Sequence, residues 1–286
     1  MKDFKDKLVY ITGGSSGIGL ATAKLMATSG ASVIIFSRRQ QVLDEALKQI
    51  QSCGVSAKQK FAGRSLDVSK RDSVEAVLSS AMAEFGVPDV LINCAGRAYP
   101  HYFEDISFEQ FDDTMKTNLY GIWNACSVLV PHMKTKGGVI VNVSSMVGFL
   151  GVFGYCDYAA SKFAIVGFSE SLRSELKKHN ICVSVLCPPD TDTPGFATEN
   201  LTKPAETRAI SASAKAMSSD AVAKELICGI RKNTFMIIPG FDGKLTYFLK
   251  RYIPFIIDMV MDSAIKKNAK KLGRGAFGLA LYWKMK

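Results

Sequence analysis

The sequence has few of the residues from which metal sites and disulfide frameworks are built. It contains three histidines, which are far apart, and seven cysteines, no two of which are spaced as C-x-x-C. This pattern argues against a zinc module or a disulfide-stabilised scaffold, and no metal site is expected. Single cysteines scattered through a chain of 286 residues are typical of a reducing compartment.

Long apolar runs are also missing. Nowhere do 18 uncharged apolar residues follow one another, so no membrane-spanning helix is predicted. The charged residues 1–7 lead directly into the short apolar run 8–12 and a glycine turn, which indicates a first strand rather than a signal peptide. Hydrophobic residues make up 48% and charged residues 22% of the sequence, which is ordinary for a soluble globular chain.

The net charge of +10 lies almost entirely at one end of the sequence. Residues 231–286 contain 12 Lys+Arg and 3 Asp+Glu, interleaved with aliphatic and aromatic residues. So much apolar surface argues against nucleic acid as a partner. It suits a helix in the headgroup layer of an anionic membrane, which predicts a cytoplasmic protein held peripherally on the cytoplasmic face of a membrane. The alternative is a terminal helix that packs on the body or on a second subunit.

Short β-rich runs alternate with longer helical stretches along the chain. The strands are predicted at residues 8–12, 32–36, 58–66, 89–93, 138–143, 182–186 and 235–238, and the helices at 18–29, 40–53, 69–85, 107–130, 155–179, 220–232 and 244–271. Strands that are apolar throughout indicate a parallel sheet covered on both faces. The sequence therefore predicts a single Rossmann-like, doubly wound α/β domain over residues 1–240, with an apolar and basic helical extension at 241–286. The polar residues 188–219 are predicted to be a functional loop that contacts substrate.

A glycine-rich turn follows the first predicted strand. Gly13, Gly17 and Gly19 permit a tight turn that brings backbone N–H groups, at the positive end of a helix, close to a phosphate. The alternative is that these glycines only turn a corner. The same stretch also matches G-x-S-x-G, which would make Ser15 the nucleophile of a hydrolase. We disfavour that hypothesis because only one strand precedes Ser15, which leaves no earlier loop to complete an oxyanion hole.

The end of the second strand predicts which dinucleotide binds. It reads Ser37-Arg38-Arg39 and contains no acidic residue that could bind a ribose 2′-hydroxyl. Two guanidinium groups can instead pair with a 2′-phosphate, so NADP(H) is expected rather than NAD(H). The alternative is that both arginines are simply solvated at the start of a helix.

Four further residues suggest proton chemistry on a carbonyl group. Tyr158 and Lys162 are four residues apart on a predicted helix and therefore share a face. An ammonium group near a phenol lowers its pKa, which makes the phenol a better acid for a carbonyl oxygen that receives a hydride. Ser145 ends the fifth strand on the ligand-binding side of the sheet, and Asn118 lies in the preceding helical stretch.

With these motifs in order, the chain resembles the short-chain dehydrogenases/reductases over residues 7–235. The resemblance implies that Tyr158 is the general acid, Ser145 orients the carbonyl, Lys162 holds the ribose, and Asn118 completes a proton relay. Two positions depart from the family pattern: Cys94 replaces an asparagine, and Pro188-Pro189 replaces Pro-Gly, which puts the loop path beside the nicotinamide in doubt. The implied cofactor contacts are Gly13, Ser15, Ser16, Gly17, Ile18, Gly19, Ser37, Arg38, Arg39, Asp67, Val68, Asn93, Ala95, Gly96, Tyr158, Lys162, Pro188, Thr191 and Thr193.

Residues 149–154 and 188–211 further resemble one group in this family, the 3-ketodihydrosphingosine reductases. That likeness implies NADPH-dependent reduction of a long-chain 2-amino-3-ketone. A separate hypothesis is that Asp190 or Asp192, next to the nicotinamide, or Asp157, beside Tyr158, pairs with the substrate ammonium; the alternative is that these aspartates cap local turns. The likeness also implies a homodimer or homotetramer formed through the helices near 107–130 and 161–179. The alternatives are a reductase of another lipid or steroid ketone, or an NADP-binding protein without catalysis.

Overall fold

The computed structural model describes residues 1–211 and 215–271. Within these ranges, seven parallel strands form one sheet in the order β3-β2-β1-β4-β5-β6-β9, and a short parallel pair, β7-β8, lies apart from it. The strands are β1 Leu8–Thr12, β2 Ser32–Ser37, β3 Phe61–Ser65, β4 Val90–Asn93, β5 Gly138–Val143, β6 Ile181–Leu186, β7 Thr191–Asp192, β8 Met217–Ser218 and β9 Met236–Ile237.

Helices cover both faces of this sheet, which confirms the predicted doubly wound α/β fold. They are α1 Gly17–Thr28, α2 Gln40–Gln51, α3 Arg71–Phe85, α4 Phe108–Met115, α5 Gly121–Met133, α6 Cys156–Leu176, α7 Pro194–Thr202, α8 Ala205–Ser211, α9 Ser219–Arg231, α10 Phe241–Tyr252 and α11 Pro254–Lys271.

The alternation of side chains along each strand supplies two hydrophobic cores. In β1, Val9 and Ile11 are fully buried on one face, where they pack with α1, α2 and α9. Tyr10 is fully buried on the other face, with α3, α5 and α6. Because both faces are buried, the central strands are apolar at successive positions, which is the pattern that the sequence displays.

The strand order places a crevice at the carboxyl edge of the sheet. The chain winds outward from β1 to β3 and then crosses to β4 on the other side of β1. Thr12 and Asn93, the last residues of β1 and β4, pair in register across this switch point. Ligands of doubly wound sheets bind in the crevice beside such a point.

Two predicted helices are wrong in their extent. The stretch 107–130 is two helices, α4 and α5, joined by a π-helical segment at Lys116–Tyr120. The stretch 244–271 breaks between α10 and α11, where Ile253 leaves the helical region. Proline disfavours the helical conformation of the residue before it and lacks an N–H group, so Pro254 starts a new helix.

The predicted loop at 188–219 is largely ordered, because it contains β7, α7, α8 and β8. Thr207 Oγ1 donates to the carbonyl oxygen of Phe153 at 2.8 Å, and Tyr102 Oη lies 2.9 Å from Glu206 Oε2. These bonds fasten α8 to two loops at the carboxyl edge of the sheet. Residues 212–214 of this loop lie outside the described residues.

The C-terminal extension covers the substrate loop, since α11 packs against α8 and α10 packs against α11. Tyr247 of α10 contacts Phe149 with 5.1 Å between the ring centroids. In the described ranges, none of the helices combines the length and apolar character that crossing a bilayer requires. Residues 272–286 of the predicted extension lie outside the described part of the chain.

Candidate active site

The glycine turn between β1 and α1 has the geometry of a phosphate-binding turn. Gly13 and Gly17 have φ angles of +68° and +52°, a region that side chains disfavour. A Cβ atom on Gly13 would also lie 2.7 Å from the backbone nitrogen of Ala95. The first N–H groups of α1 have no carbonyl partner one turn earlier, so they are available to a phosphate oxygen. The turn therefore fits the pyrophosphate of a dinucleotide.

The serines of this turn have different surroundings. Ser15 is buried, and its Oγ donates to Ser37 Oγ at 2.9 Å, which ties the turn to the end of β2. Ser16 is the exposed N-cap of α1, next to Gly17. The bond from Ser15 goes to another serine rather than to a histidine base, so the geometry gives no support to the hydrolase hypothesis.

The predicted adenosine contacts come together at the carboxyl ends of β2 and β3. Arg38 and Arg39 are exposed, and the backbone carbonyl of Arg38 accepts a bond from Ser65 Oγ at 3.0 Å. Partial burial acts to raise the pKa of Asp67, but two hydrogen bonds from Ser69 and the charge of Arg38 outweigh it and lower the pKa. Asp67 is therefore an anion at neutral pH that can accept a bond from a base or ribose.

The residues after β4 line the floor of the crevice. Asn93 is buried and donates from Nδ2 to Asn142 Oδ1 at 2.8 Å, so it joins the ends of β4 and β5. A Cβ atom on Gly96 would lie 3.2 Å from Asn118 Oδ1 and 3.4 Å from Lys162 Nζ. Burial raises the pKa of Cys94, at one of the two positions that depart from the family pattern, to about 11.

Asn118 braces this floor against the long helix α6. It lies in the π-helical segment between α4 and α5 and is fully buried. Its Oδ1 accepts from the backbone nitrogen of Arg97 at 2.9 Å, and its Nδ2 donates to the Arg97 carbonyl and to Ser161 Oγ, both at 3.0 Å. Single π-helical turns are frequent at functional sites, and this one turns Asn118 into the crevice wall.

Lys162 and Tyr158 share a face of α6, as their spacing predicts. Lys162 is 4% exposed, and its Nζ donates to the carbonyl oxygen of Val143 at 2.9 Å. The same Nζ lies 5.4 Å from the centroid of the Tyr158 ring. Burial lowers the pKa of Lys162 to about 8, so the side chain is mostly a cation at neutral pH.

The Tyr158 hydroxyl interacts with the side chain of Ser145, the N-cap of a short 3₁₀ turn at Met146–Gly148. Burial raises the pKa of Tyr158 above its ordinary value, the carboxylates of Glu199 and Asp190 raise it further, and the interaction with the Ser145 side chain lowers it. The expectation of a depressed pKa is therefore wrong for this structure. The physical reason is that burial dominates, while the Lys162 ammonium lies over the ring and is bonded to Val143.

The loop after β6 closes the crevice on the side of the glycine turn. The buried Pro188 accepts a bond at its carbonyl from the backbone nitrogen of Met146 at 3.0 Å. Thr193 caps α7, with Oγ1 accepting from the backbone nitrogen of Phe196 at 3.0 Å. A Cβ atom on Gly17 would lie 2.8 Å from Thr193 Cγ2, so this threonine adjoins the phosphate turn. Thr191 is also buried, and its hydroxyl donates to the Pro189 carbonyl at 2.7 Å.

The three aspartates considered for the substrate ammonium have different environments. Asp157 is 1% exposed and accepts from Thr114 Oγ1 at 2.8 Å and from the backbone nitrogen of Tyr158 at 2.7 Å. Its carboxylate therefore joins α4 to α6 and is already occupied by donors of the protein, which favours a structural role over contact with substrate. Asp192 is exposed in β7. Asp190 is partly exposed and lines an open recess of about 210 Å³ together with Phe196, Asn200, Lys203, Arg208, Ser211 and Ala216.

Sequence reasoning missed a cluster of charged and aromatic side chains next to Tyr158. The Tyr155 hydroxyl donates to Glu199 Oε1, and Lys203 Nζ lies 3.2 Å from the same oxygen. The Tyr155 ring packs on the Tyr158 ring, with 5.7 Å between centroids. The signal available in the sequence was the four-residue spacing of Glu199 and Lys203, which is typical of a helical ion pair. The prediction of an irregular loop concealed it.

The arrangement combines an acid, a hydroxyl partner and a neighbouring cation beside a phosphate-binding turn. Such a set can protonate a carbonyl oxygen while the adjacent carbon receives a hydride. A nicotinamide cofactor supplies that hydride when it is bound.

Comparisons with known proteins agree with this geometry. The family model for short chain dehydrogenases matches residues 7–204. The 3-ketodihydrosphingosine reductase of Bos taurus is 40% identical over 237 residues, which cover 82% of this chain and 71% of that protein. The 3-oxoacyl-(acyl-carrier-protein) reductase FabG of Chlamydia muridarum is 38% identical over 199 residues, or 69% of this chain and 77% of that one.

Among solved structures, the apo form of LigD from Sphingobium sp. strain SYK-6 is similar, with a TM-score of 0.74 and 27% identity. The match covers 90% of this chain and 98% of LigD. The chain therefore belongs to the short-chain dehydrogenase family, and it is an oxidoreductase that interconverts C=O and CH–OH groups with a nicotinamide cofactor.

Proposed function

We propose that the protein reduces the 3-keto group of 3-ketodihydrosphingosine to the alcohol, with hydride from NADPH and a proton from Tyr158. The observation that carries the proposal is the position of Tyr158 at the carboxyl edge of the sheet, with Lys162 Nζ 5.4 Å from its ring centroid and the Ser145 side chain beside its hydroxyl. The similarity to a relative named for this substrate supports the substrate class.

Each of the four proposed catalytic residues has a distinct task. Tyr158 gives its proton to the carbonyl oxygen, and Ser145 holds that oxygen close to the phenol. The Lys162 ammonium favours the phenolate that remains after transfer. Asn118 completes the proposed proton relay, and its bonds to Arg97 and Ser161 hold it in the floor of the crevice. Since burial raises the pKa of Tyr158, the phenol is protonated at neutral pH, as reduction requires.

The preference for NADP(H) rests on the end of β2. Arg38 and Arg39 are exposed there, and the charge of Arg38 acts on the anion Asp67. Both exposed side chains are long enough to reach a 2′-phosphate bound beside them. A phosphate dianion pairs with two arginines through charge-assisted hydrogen bonds. An NAD(H)-specific site would need an acidic residue in this place.

Asp190 is the better of the two remaining aspartates for the substrate ammonium. It opens into the recess beside the substrate loop, and its charge already acts on Tyr158. Asp192 faces solvent, and its backbone carbonyl accepts a bond from Ser219 Oγ at 2.7 Å. A carboxylate near the reacting carbonyl favours an amino ketone over a neutral ketone.

We also propose that α10 and α11 contact a membrane surface on its cytoplasmic face. Large apolar side chains that globular proteins usually bury are 51–76% exposed along these helices: Phe241, Phe248, Tyr252, Phe255, Met259 and Val260. Lys244, Lys250 and Arg251 lie among them. Basic residues beside exposed aromatic ones suit an anionic lipid surface, from which a long-chain substrate would also come.

A second apolar surface supports a homodimer or homotetramer. Phe111 of α4, Trp123 of α5 and Phe163 of α6 are 39–56% exposed, on or near the helices from which an oligomer is expected. Exposed aromatic residues grouped on adjacent helices are typical of subunit interfaces.

A second candidate function is reduction of a different long-chain ketone. It is favoured by the similarity to a 3-oxoacyl reductase, which covers much of the same segment. The same fold occurs in reductases of both kinds of ketone, so the residues of the site, and not the fold, determine which substrate is reduced.

A panel of ketones with NADPH tests these proposals. The purified chain is given 3-ketodihydrosphingosine, a long-chain ketone without the amine, a 3-oxoacyl thioester and a 3-oxosteroid. We expect the highest kcat/KM for the amino ketone. A higher value for any other ketone would replace the substrate assignment, and NADPH binding without turnover of any would favour a protein that binds cofactor but lacks catalysis.

A further inference from the structure

The substrate loop carries a buried ion pair that contacts the catalytic helix. Glu199, near the end of α7, lies 3.2 Å from Lys203 Nζ, and the Lys203 side chain is 2% exposed. Lys203 also lies 4.2 Å from the centroid of the Phe196 ring and 4.0 Å from Asp190 Oδ2. Ion pairs on protein surfaces are usually exposed and weak, whereas loss of one partner of a buried pair is strongly destabilising. The buried Lys203 therefore holds Glu199 in a fixed place in the loop.

Glu199 reaches the catalytic tyrosine through one aromatic ring. The Tyr155 hydroxyl donates to Glu199 Oε1, and the Tyr155 ring packs on Tyr158 with 5.7 Å between the centroids and 48° between the planes. Tyr155 is 4% exposed and is the N-cap residue of α6. The contact therefore joins α7 to the first turn of the helix that carries Tyr158 and Lys162.

We propose that Glu199 is a positioning residue for Tyr158. Glu199 orients the Tyr158 phenol through Tyr155 and places a negative charge near it. The inference rests on the proposed role of Tyr158 as the proton donor. It adds that the substrate loop, through Glu199, influences how easily Tyr158 gives up that proton. Glu199 has this effect without touching the reacting carbonyl.

The charged groups around Tyr158 determine whether loss of the Glu199 charge makes its deprotonation easier or harder. Glu199 faces Tyr155 from α6, Lys203 from the end of α7 and Asp190 from the loop after β6. Tyr158 faces Glu199, Asp190, Ser145 and Cys187, and Nζ of Lys162 on the same helix, a residue that every variant compared retains, lies 5.4 Å from its ring centroid. A carboxylate near a phenol disfavours the phenolate, so removal of the Glu199 charge must make Tyr158 easier to deprotonate.

The test uses the reverse reaction, oxidation of dihydrosphingosine by NADP⁺, because that direction needs the phenolate. The rate is measured against pH for the parental protein and for Glu199→Gln, which keeps a hydrogen-bond acceptor for Tyr155 and removes the charge. The ammonium of the substrate titrates equally with both proteins, so only the difference between the two profiles is compared. We expect the rising limb of the Glu199→Gln profile to lie about one pH unit lower.

Two further variants test whether a folding defect or a general loss of negative charge could cause the same shift. Glu199→Gln combined with Lys203→Met leaves no unpaired lysine in the interior. Because it also removes the positive charge beside Glu199, we expect a smaller shift to lower pH. Glu170→Gln removes an exposed carboxylate three turns further along α6, and we expect no shift. The affinity of each variant for NADP⁺, measured by titration calorimetry, shows that the cofactor site is intact.

The outcomes separate this inference from the proposed function. If Tyr158→Phe abolishes turnover but the profiles of both Glu199 variants coincide with the parental one, the positioning role is wrong and the function stands. If Tyr158→Phe keeps the parental rate, the proposed acid is wrong and the function itself fails. A shift of about one unit in Glu199→Gln and a smaller shift in the same direction in the double variant, both absent from Glu170→Gln, support the inference.

Discussion

Lys162 lies one helical turn after Tyr158 on α6, with its Nζ 5.4 Å from the centroid of the Tyr158 ring and 2.9 Å from the Val143 carbonyl oxygen. The ammonium is therefore held between a strand end and the aromatic face of the acid. In this position it favours negative charge on the phenol after proton transfer, although burial keeps the phenol protonated before it.

The pKa of Lys162 predicts a pH limit on reduction. Burial lowers this pKa to about 8, so the ammonium is present below pH 8 and is lost as the pH rises through that value. We expect kcat for ketone reduction to fall above about pH 8. Arginine keeps its charge throughout this range, so Lys162→Arg should lower kcat at pH 7 but remove the fall near pH 8. Coincident pH profiles for the two proteins would contradict this role.

Replacement of both Arg38 and Arg39 by alanine should weaken NADPH selectively. Each charge-assisted hydrogen bond to a phosphate contributes about 1.5–3 kcal/mol, so KM for NADPH should rise about tenfold or more while KM for NADH changes little. The measurement is steady-state kinetics with both cofactors. Lys70→Ala, at the exposed N-cap of α3, is the control for loss of positive charge alone. Equal effects on both cofactors would reject the assignment.

Asp157 is predicted to act on stability rather than on substrate choice. Its carboxylate is buried and accepts bonds from Thr114 and from the Tyr158 backbone. Asp157→Ala leaves these donors without partners and should lower the free energy of unfolding by about 1–3 kcal/mol. Thermal unfolding measures the loss. The preference for an amino ketone over a neutral ketone should be unchanged in Asp157→Ala. Loss of that preference would indicate that Asp157 does bind the substrate ammonium.

The exposed aromatic residues of α10 and α11 predict binding to anionic vesicles. The full chain should float with vesicles that contain phosphatidylserine and stay at the bottom with vesicles of phosphatidylcholine alone. Phe248→Ser combined with Phe255→Ser should reduce flotation, because both rings are more than half exposed. Phe103→Ser is the matched control, because it removes a ring that is 75% exposed and lies far from both helices in the sequence. Flotation that is the same for all three proteins would exclude this surface.

The parts of the fold that local pattern determines could be predicted from the sequence. The apolar strands and the glycine turn follow from periodicity and from backbone requirements at Gly13 and Gly17, and the structure bears out both. The break at Pro254 was missed, although proline gives a local signal, because the apolar and basic pattern continues across it. Local sequence patterns do not predict residue contacts that depend on tertiary folding.

Tyr158 illustrates that limit. Its spacing from Lys162 correctly predicts a shared helix face, but the pKa of a phenol depends on how deeply other elements bury it. Those elements include α7, whose Glu199 lies forty-one residues away in the sequence. The polar composition of residues 188–219 indicates a loop, and nothing in that composition shows that Tyr155 would tie it to the catalytic helix.

The most direct test of the account is Tyr158→Phe, because this change removes one hydroxyl and keeps the ring. General acid catalysis contributes about 10²–10⁴-fold, so kcat for ketone reduction should fall at least about 100-fold while the Kd for NADPH changes less than about twofold. Tyr155→Phe removes a neighbouring hydroxyl from the same helix end and should lower kcat far less. Parental turnover of NADPH by Tyr158→Phe would contradict the account.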